Sequence, residues 1–256
     1  MKRAWLKRAG LALVGVLGMA IVSAHAQAPQ NRTDAEIEKL VREYILKNPE
    51  VIVEALQTLE RRHEEQLAAD QQRQIQANEE ILHASDHQMV IGNPEGDVTL
   101  IEFFDYNCGF CRQTLATVEA LIEQDPKIKV ILKEFPVLGP GSQEAARVSI
   151  AASKIAPEKY KELHTQLLSA QGQVNERIAL ALSANLGIDT DKLQSLAQTS
   201  QVEEAIGEVY QLASELGING TPSFIIGNEL IPGAVELDIL QQKVSAMREC
   251  GKTDCS

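Results

Sequence analysis

Two cysteines, Cys108 and Cys111, stand where one kind of pattern gives way to another. Residues 98–104 (Val-Thr-Leu-Ile-Glu-Phe-Phe) are rich in β-branched and aromatic side chains and read as a buried strand. After the pair, Leu115, Val118, Leu121 and Ile122 recur at helical spacing. A C-x-x-C pair at such a junction places its first sulfur against the helix's unpaired N–H groups and the positive end of its dipole. That setting favours thiolate chemistry, so the pair reads as a redox site. A zinc knuckle would need two more ligands. The remaining cysteines, Cys250 and Cys255, lie in a distant polar tail, and no histidine is near either pair in sequence. An inert structural disulfide is the other alternative. Neither metal nor cofactor is expected.

The N-terminus carries the pattern of an export signal. Residues 1–8 are basic, 9–22 apolar, and Ala24-His25-Ala26 is a small-residue cleavage site. The apolar stretch is shorter than the ~20 residues that span a bilayer, so cleavage after Ala26 is expected rather than a retained anchor. Residues 1–26 are therefore expected to be a signal peptide, and the mature chain to be exported into an oxidising space. The signal holds four of the 24 Lys and Arg and none of the 36 Asp and Glu, so the remaining chain is more acidic than the −12 of the whole. Such a charge argues against nucleic acid or an anionic membrane as partner.

Residues 27–86 form an arm and linker of helical pattern. Ile37, Leu40, Val41, Tyr44 and Ile45 make one stripe; Val51, Ile52, Ala55, Leu56 and Leu59 make a second. Asn48-Pro49-Glu50 between them reads as an N-cap with Pro at the first helical position. Apolar faces of this kind need a partner, either another copy, as dimer or trimer, or the rest of the chain. The Gln-rich stretch 64–78 reads as an exposed connecting helix.

In the main domain, 87–248, residues 87–96 lead in through a turn cluster and a second strand is expected over 129–135. A helical block follows over 144–154, 157–169, 175–186, 190–197 and 202–216. A hairpin is expected over 223–226 and 229–231, turning at Gly227-Asn228, and a last helix over 237–248. A sheet split by a helical insertion, about 142–216, fits this order. The tail is 249–256. Ahead of the hairpin, Gly220-Thr221-Pro222-Ser223 sets a proline at a strand's first residue, where its missing N–H costs nothing.

The Phe-Phe-Asp-Tyr strand end before Cys108-Gly-Phe-Cys111, with Gly-Thr-Pro-Ser-Phe at 220–224, resembles the thioredoxin superfamily. The resemblance is to its DsbA-like branch of periplasmic thiol–disulfide oxidoreductases, over about 89–247. The arm is similar to the oligomerising extension of ScsC-type proteins. The resemblance implies an α/β, thioredoxin-like fold with a helical insertion and an N-terminal helical arm. It implies that Pro222 is cis and faces the sulfurs, and that Thr221 offers its backbone to a substrate peptide. Cys108 is then expected to be the exposed nucleophile and Cys111 the resolving thiol. Gly109 and Phe110 tune the pair. They and Thr221 sit closer to the isomerase pattern (Gly-Tyr between the cysteines, Thr before the proline) than to the Pro-His of strong oxidants. Phe110 carries no donor for a thiolate, which argues against a maximally oxidising pair. Glu102 corresponds to an acidic position beneath the family's active site and is a candidate proton carrier for Cys111, with Lys133 as a possible partner; a solvated strand-end carboxylate is the alternative. Asp105 and Tyr106 border the site.

The expected function is disulfide exchange, oxidation or isomerisation, on cysteine-containing secreted proteins, with a membrane partner resetting the pair. The alternative is a non-catalytic metal-handling or surface interaction protein on the same scaffold.

Overall fold

The computed structural model describes residues 32–255. The expected signal peptide lies outside the described residues. The chain divides into two units after Thr58.

In the first unit, α1 (Asp34–Lys47) opens on a capping box in which Thr33 and Glu36 satisfy each other's backbone N–H. Asn48 closes it by donating its side-chain amide to the Tyr44 carbonyl at 2.9 Å. The residue expected to cap the following helix therefore caps the preceding one. α2 (Glu50–Ala77) starts directly after Pro49 and runs unbroken through the Gln-rich stretch. No residue of α1 is buried, and Leu40, Val41, Tyr44 and Leu46 are each at least half exposed.

The second unit takes in the later part of α2. After it come α3 (Glu79–Ala84), β1 (Met89–Gly92), β2 (Val98–Phe104), α4 (Gly109–Gln124) and β3 (Ile128–Glu134). The helical block is α5 (Pro140–Ile155), α6 (Pro157–Ser169), α7 (Glu176–Asn185), α8 (Thr190–Ala197) and α9 (Ser200–Glu215). β4 (Ser223–Ile226), β5 (Glu229–Pro232) and α10 (Leu237–Cys250) complete it. The sheet order is β1-β3-β2-β4-β5, with β2 and β3 parallel and the other pairs antiparallel.

β2 is central and covered on both faces, which is why its sequence is a continuous apolar run rather than an alternation. Leu100 and Phe104 enter a core shared with Val118 and Leu121 of α4 and Leu240 and Val244 of α10. Ile101 and Phe103 enter a second core with Val209, Leu212 and Leu216 of α9. Ile75 of α2 and Leu82 of α3 also lie in that second core, so the linker is part of the same folded unit as the sheet.

Two elements differ from expectation. β1 is a short edge strand on β3 whose four residues were read as lead-in. α5 begins at Pro140, four residues earlier than expected, because proline is well placed in a helix's first turn. In the hairpin, Gly227 has φ +52°, a left-handed conformation that favours glycine. Cys250 and Cys255 form a disulfide at the end of α10.

Candidate active site

β2 ends at Phe104 and delivers residues 105–107 as a tight bridge to α4. Asp105 is the bridge's anchor. Its carboxylate accepts from Asn107 N and Ser142 Oγ, both at 2.7 Å, and from Leu138 N at 3.0 Å. Asn107 ties the bridge to the insertion, donating to the Val174 carbonyl and accepting from the Val174 amide. Cys108 then occupies the N-cap of α4 in an extended conformation, and its sulfur accepts the Cys111 N–H at 3.4 Å. The two cysteines are separate thiols.

The Thr221–Pro222 peptide bond is cis. Antiparallel pairing of Phe103 with Ser223 brings this turn to the end of β2. The Cys108 thiol donates to the Thr221 carbonyl at 3.1 Å. Pro222's own carbonyl accepts from Gly233 N, and Ser223 Oγ donates to the Gly220 carbonyl, which hold the turn in place. Cys108 was expected to be exposed and is instead buried, at 5%. Thr221 covers it. The adjoining Gly109 and Phe110 are exposed, Phe110 at 60%.

Glu102 lies on the same sheet face as Leu100 and Phe104, toward the core that contains Cys111. It is buried, and its Oε1 has no hydrogen-bond partner among the described residues. Burial alone pushes its carboxyl up to about 8. Burial also pushes the Cys111 thiol well up, with the nearby Glu102 and Cys108 adding to the shift and a backbone hydrogen bond from Asp105 opposing it.

Lys133 is not the partner of Glu102. In the β2–β3 register Glu102 stands beside Leu132, and Lys133 beside Phe103, so the two side chains leave opposite faces. Lys133 is buried on the far side, where Nζ donates to the Ile81 carbonyl at 2.8 Å and lies 3.9 Å from Glu208. Burial pushes its ammonium down to about 8, against the pull of Glu208.

Sequence reading missed a polar cluster behind the site. Tyr106 Oη lies 2.6 Å from Ser149 Oγ and 3.2 Å from both Glu134 Oε1 and His164 Nδ1. All four residues are buried. Burial pushes the Glu134 carboxyl well above its ordinary value, toward the neutral form, and the His164 imidazole down to about 3, which leaves the imidazole neutral near pH 7. The cluster gathers one residue each from the bridge, β3, α5 and α6. Their separation in sequence left no motif; Glu134 ending an apolar strand was the one available signal.

A mixed sheet with a cysteine pair at a strand–helix junction, opposed by a cis-proline turn, defines a thioredoxin-fold protein of the thiol–disulfide class. The chain belongs to the DSBA-like thioredoxin domain family, whose model matches residues 99–245. Residues 34–66 match the N-terminal domain of the copper resistance protein ScsC. A thioredoxin-like oxidoreductase from Silicibacter pomeroyi DSS-3 is 40% identical, with a TM-score of 0.64, over 67% of this chain and 98% of that one. The thiol-disulfide exchange protein alpha-DsbA2 of Wolbachia pipientis is 30% identical, with a TM-score of 0.66, over 70% and 97%. The thiol:disulfide interchange protein DsbA of Bordetella pertussis is 24% identical over 146 residues, 55% of this chain and 68% of that protein. The Na(+)/H(+) antiporter NhaA 1 of Salinispora arenicola is 25% identical over 163 residues, 63% of this chain; the match spans only 25% of that protein's length. No helix among the described residues is long and apolar enough to cross a membrane.

Proposed function

We propose that the protein is an exported, oligomeric thiol–disulfide exchange enzyme that acts on cysteines of other secreted proteins through Cys108 and Cys111. The observation that carries this reading is the Cys108 sulfur, held at the N-cap of α4 and against the Thr221 carbonyl at 3.1 Å. The N-cap position points the Cys111 N–H at that sulfur.

In the reducing direction the Cys108 thiolate attacks a substrate disulfide and forms a mixed disulfide, and one substrate sulfur leaves as thiolate. Cys111 then displaces the second substrate sulfur and closes the Cys108–Cys111 disulfide. Its thiol must lose a proton that burial holds in place; Glu102, whose carboxyl titrates near 8, can receive that proton only in its ionised form and returns it from its protonated form in the oxidising direction. The oxidising direction runs the same steps backwards. Thr221 and Pro222 would hold the substrate backbone, the Thr221 carbonyl exchanging its contact with Cys108 for one with the peptide. Gly109, Phe110 and Thr221 favour a shuffling role over maximal oxidation. A membrane redox partner would reset the pair.

Export to the periplasm rests on the basic and apolar run at the N-terminus and its small-residue cleavage site. Oligomerisation rests on the uncovered apolar stripes of α1 and the start of α2. Insulin reduction and refolding of scrambled ribonuclease test the activity. The wild type should accelerate both and Cys108→Ala neither; equal rates for the two proteins would overturn the reading.

A further inference from the structure

A cleft of about 360 Å³ opens beside the first turn of α4, lined by Asn107, Gly109, Arg112, Leu138, Gly172 and Gln173. Asn107 and Gly109 flank Cys108 in the chain. A substrate cysteine joined to Cys108 therefore brings its own neighbours within a residue or two of this cleft. A Cβ at Gly109 would meet nothing within 4 Å, so approach across that position is open.

Most polar groups of the wall are already engaged. The Asn107 amide is committed to Val174 and Ser142. Asp105, the carboxylate bound to this wall, is buried and filled by three donors from Asn107, Leu138 and Ser142. Arg112 differs. Its Nε and Nη2 donate to the Tyr106 carbonyl at 3.3 and 3.1 Å, and Nη2 also to the Gly172 carbonyl at 2.8 Å. Both acceptors are neutral. None of the ion pairs among the described residues includes Arg112, and no hydrogen bond there uses its Nη1. The two carbonyls fix the guanidinium while leaving its charge uncompensated and one N–H pair unused. In a chain of net charge −12, a fixed cation beside the redox pair favours an anionic group there. A planar guanidinium fixed in this way is suited to a carboxylate.

We propose that Arg112, with Gln173 of the same cleft lining, forms a subsite for an acidic side chain next to the reacting cysteine of the substrate. The subsite rests on the exchange reading and sets substrate preference within it.

The test uses single-cysteine peptides carrying Asp, Asn or Lys beside the cysteine, on either side, as 2-pyridyl mixed disulfides. The reduced protein's Cys108 thiolate attacks the peptide sulfur, and 2-thiopyridone leaves with the electron pair and a proton. Cys111 then releases the peptide as a thiol, and the protein dithiol is oxidised by two electrons to its disulfide. For the wild type, the second-order rate constant of 2-thiopyridone release in this single turnover should be about five-fold higher for Asp than for Asn in at least one flanking position, with Lys lowest. The preference should shrink at 1 M salt. Arg112→Gln should bring the Asp-to-Asn ratio to about one, and Arg112→Lys should retain part of it. Equal wild-type rates for the three peptides overturn the subsite without use of any variant. The Asn peptide reports on exchange itself: a rate no faster than that of Cys108→Ala overturns the exchange reading and the subsite with it.

Discussion

The Cys108 thiol donates to the carbonyl oxygen of Thr221 across 3.1 Å, although 113 positions separate them in the chain. The pairing of β2 with β4 makes that meeting possible, because Phe103 stands opposite Ser223 and the turn before β4 falls at the mouth of α4. Cys108, the cysteine expected to react first, is buried. On the exchange reading proposed above, a substrate backbone that takes the Thr221 carbonyl would release Cys108 from this contact.

Glu102 gives a stability test with a defined sign. Its carboxyl stays protonated in the fold to about pH 8, against an ordinary value of 4.5. Between those values the unfolded chain binds fewer protons, so the contribution of Glu102 to stability falls as pH rises from 4.5 to 8 and is level above. Glu102→Gln should be near wild type at pH 4.5 and more stable by on the order of 3–5 kcal/mol at pH 8. Denaturant unfolding under reducing conditions measures the difference; a gap independent of pH would contradict a buried neutral carboxyl.

Lys133 separates the two faces of the sheet. Its ammonium binds the end of α3 and approaches Glu208, away from the core that holds Cys111. Lys133→Met should change thermal stability while leaving the pH–rate profile of exchange in place, whereas Glu102→Gln should shift that profile. A profile moved equally by both variants would mean that charge reaches Cys111 through the sheet.

The positions of β2, β4, α6 and α8 were legible because their signals are local: an apolar run, a proline at a helix start, a turn at Gly227. The cysteine pair and the Thr221-Pro222 turn were legible as motifs. What was not legible depends on register. Lys133 and Glu102 lie on neighbouring strands, yet a one-residue offset in pairing sends them to opposite faces. β1 was too short to announce itself. The burial of Cys108 and the Tyr106 cluster arise from elements far apart in the chain, so no spacing encodes them.

Tyr106 is the shared atom centre of that cluster. Tyr106→Phe keeps the ring contacts with Phe104 and His164 but removes the hydroxyl that Ser149, Glu134 and His164 share. A loss of about 1–3 kcal/mol in urea unfolding is expected. Combining it with Ser149→Ala should give a loss smaller than the sum of the two single losses; strict additivity would show that the hydroxyls act independently.

The arm makes a prediction about mass. Light scattering on the chain from Gln27 onward should give two or three times the protomer mass, and removal of residues 27–58 should give a monomer that still reduces insulin. Leu40→Glu with Leu56→Glu should act as the deletion does, since both side chains are at least half exposed in the single chain. A monomeric full-length protein would leave the stripes without this role.

Trapping the mixed disulfide tests the central claim most directly. Cys111→Ala removes the resolving thiol, so incubation with a disulfide-bonded substrate should accumulate one covalent adduct per chain. Peptide mass spectrometry should place it on Cys108, and Cys108→Ala should form none. Absence of any adduct, or its appearance on Cys250 or Cys255 instead of Cys108, would contradict exchange at the helix N-terminus.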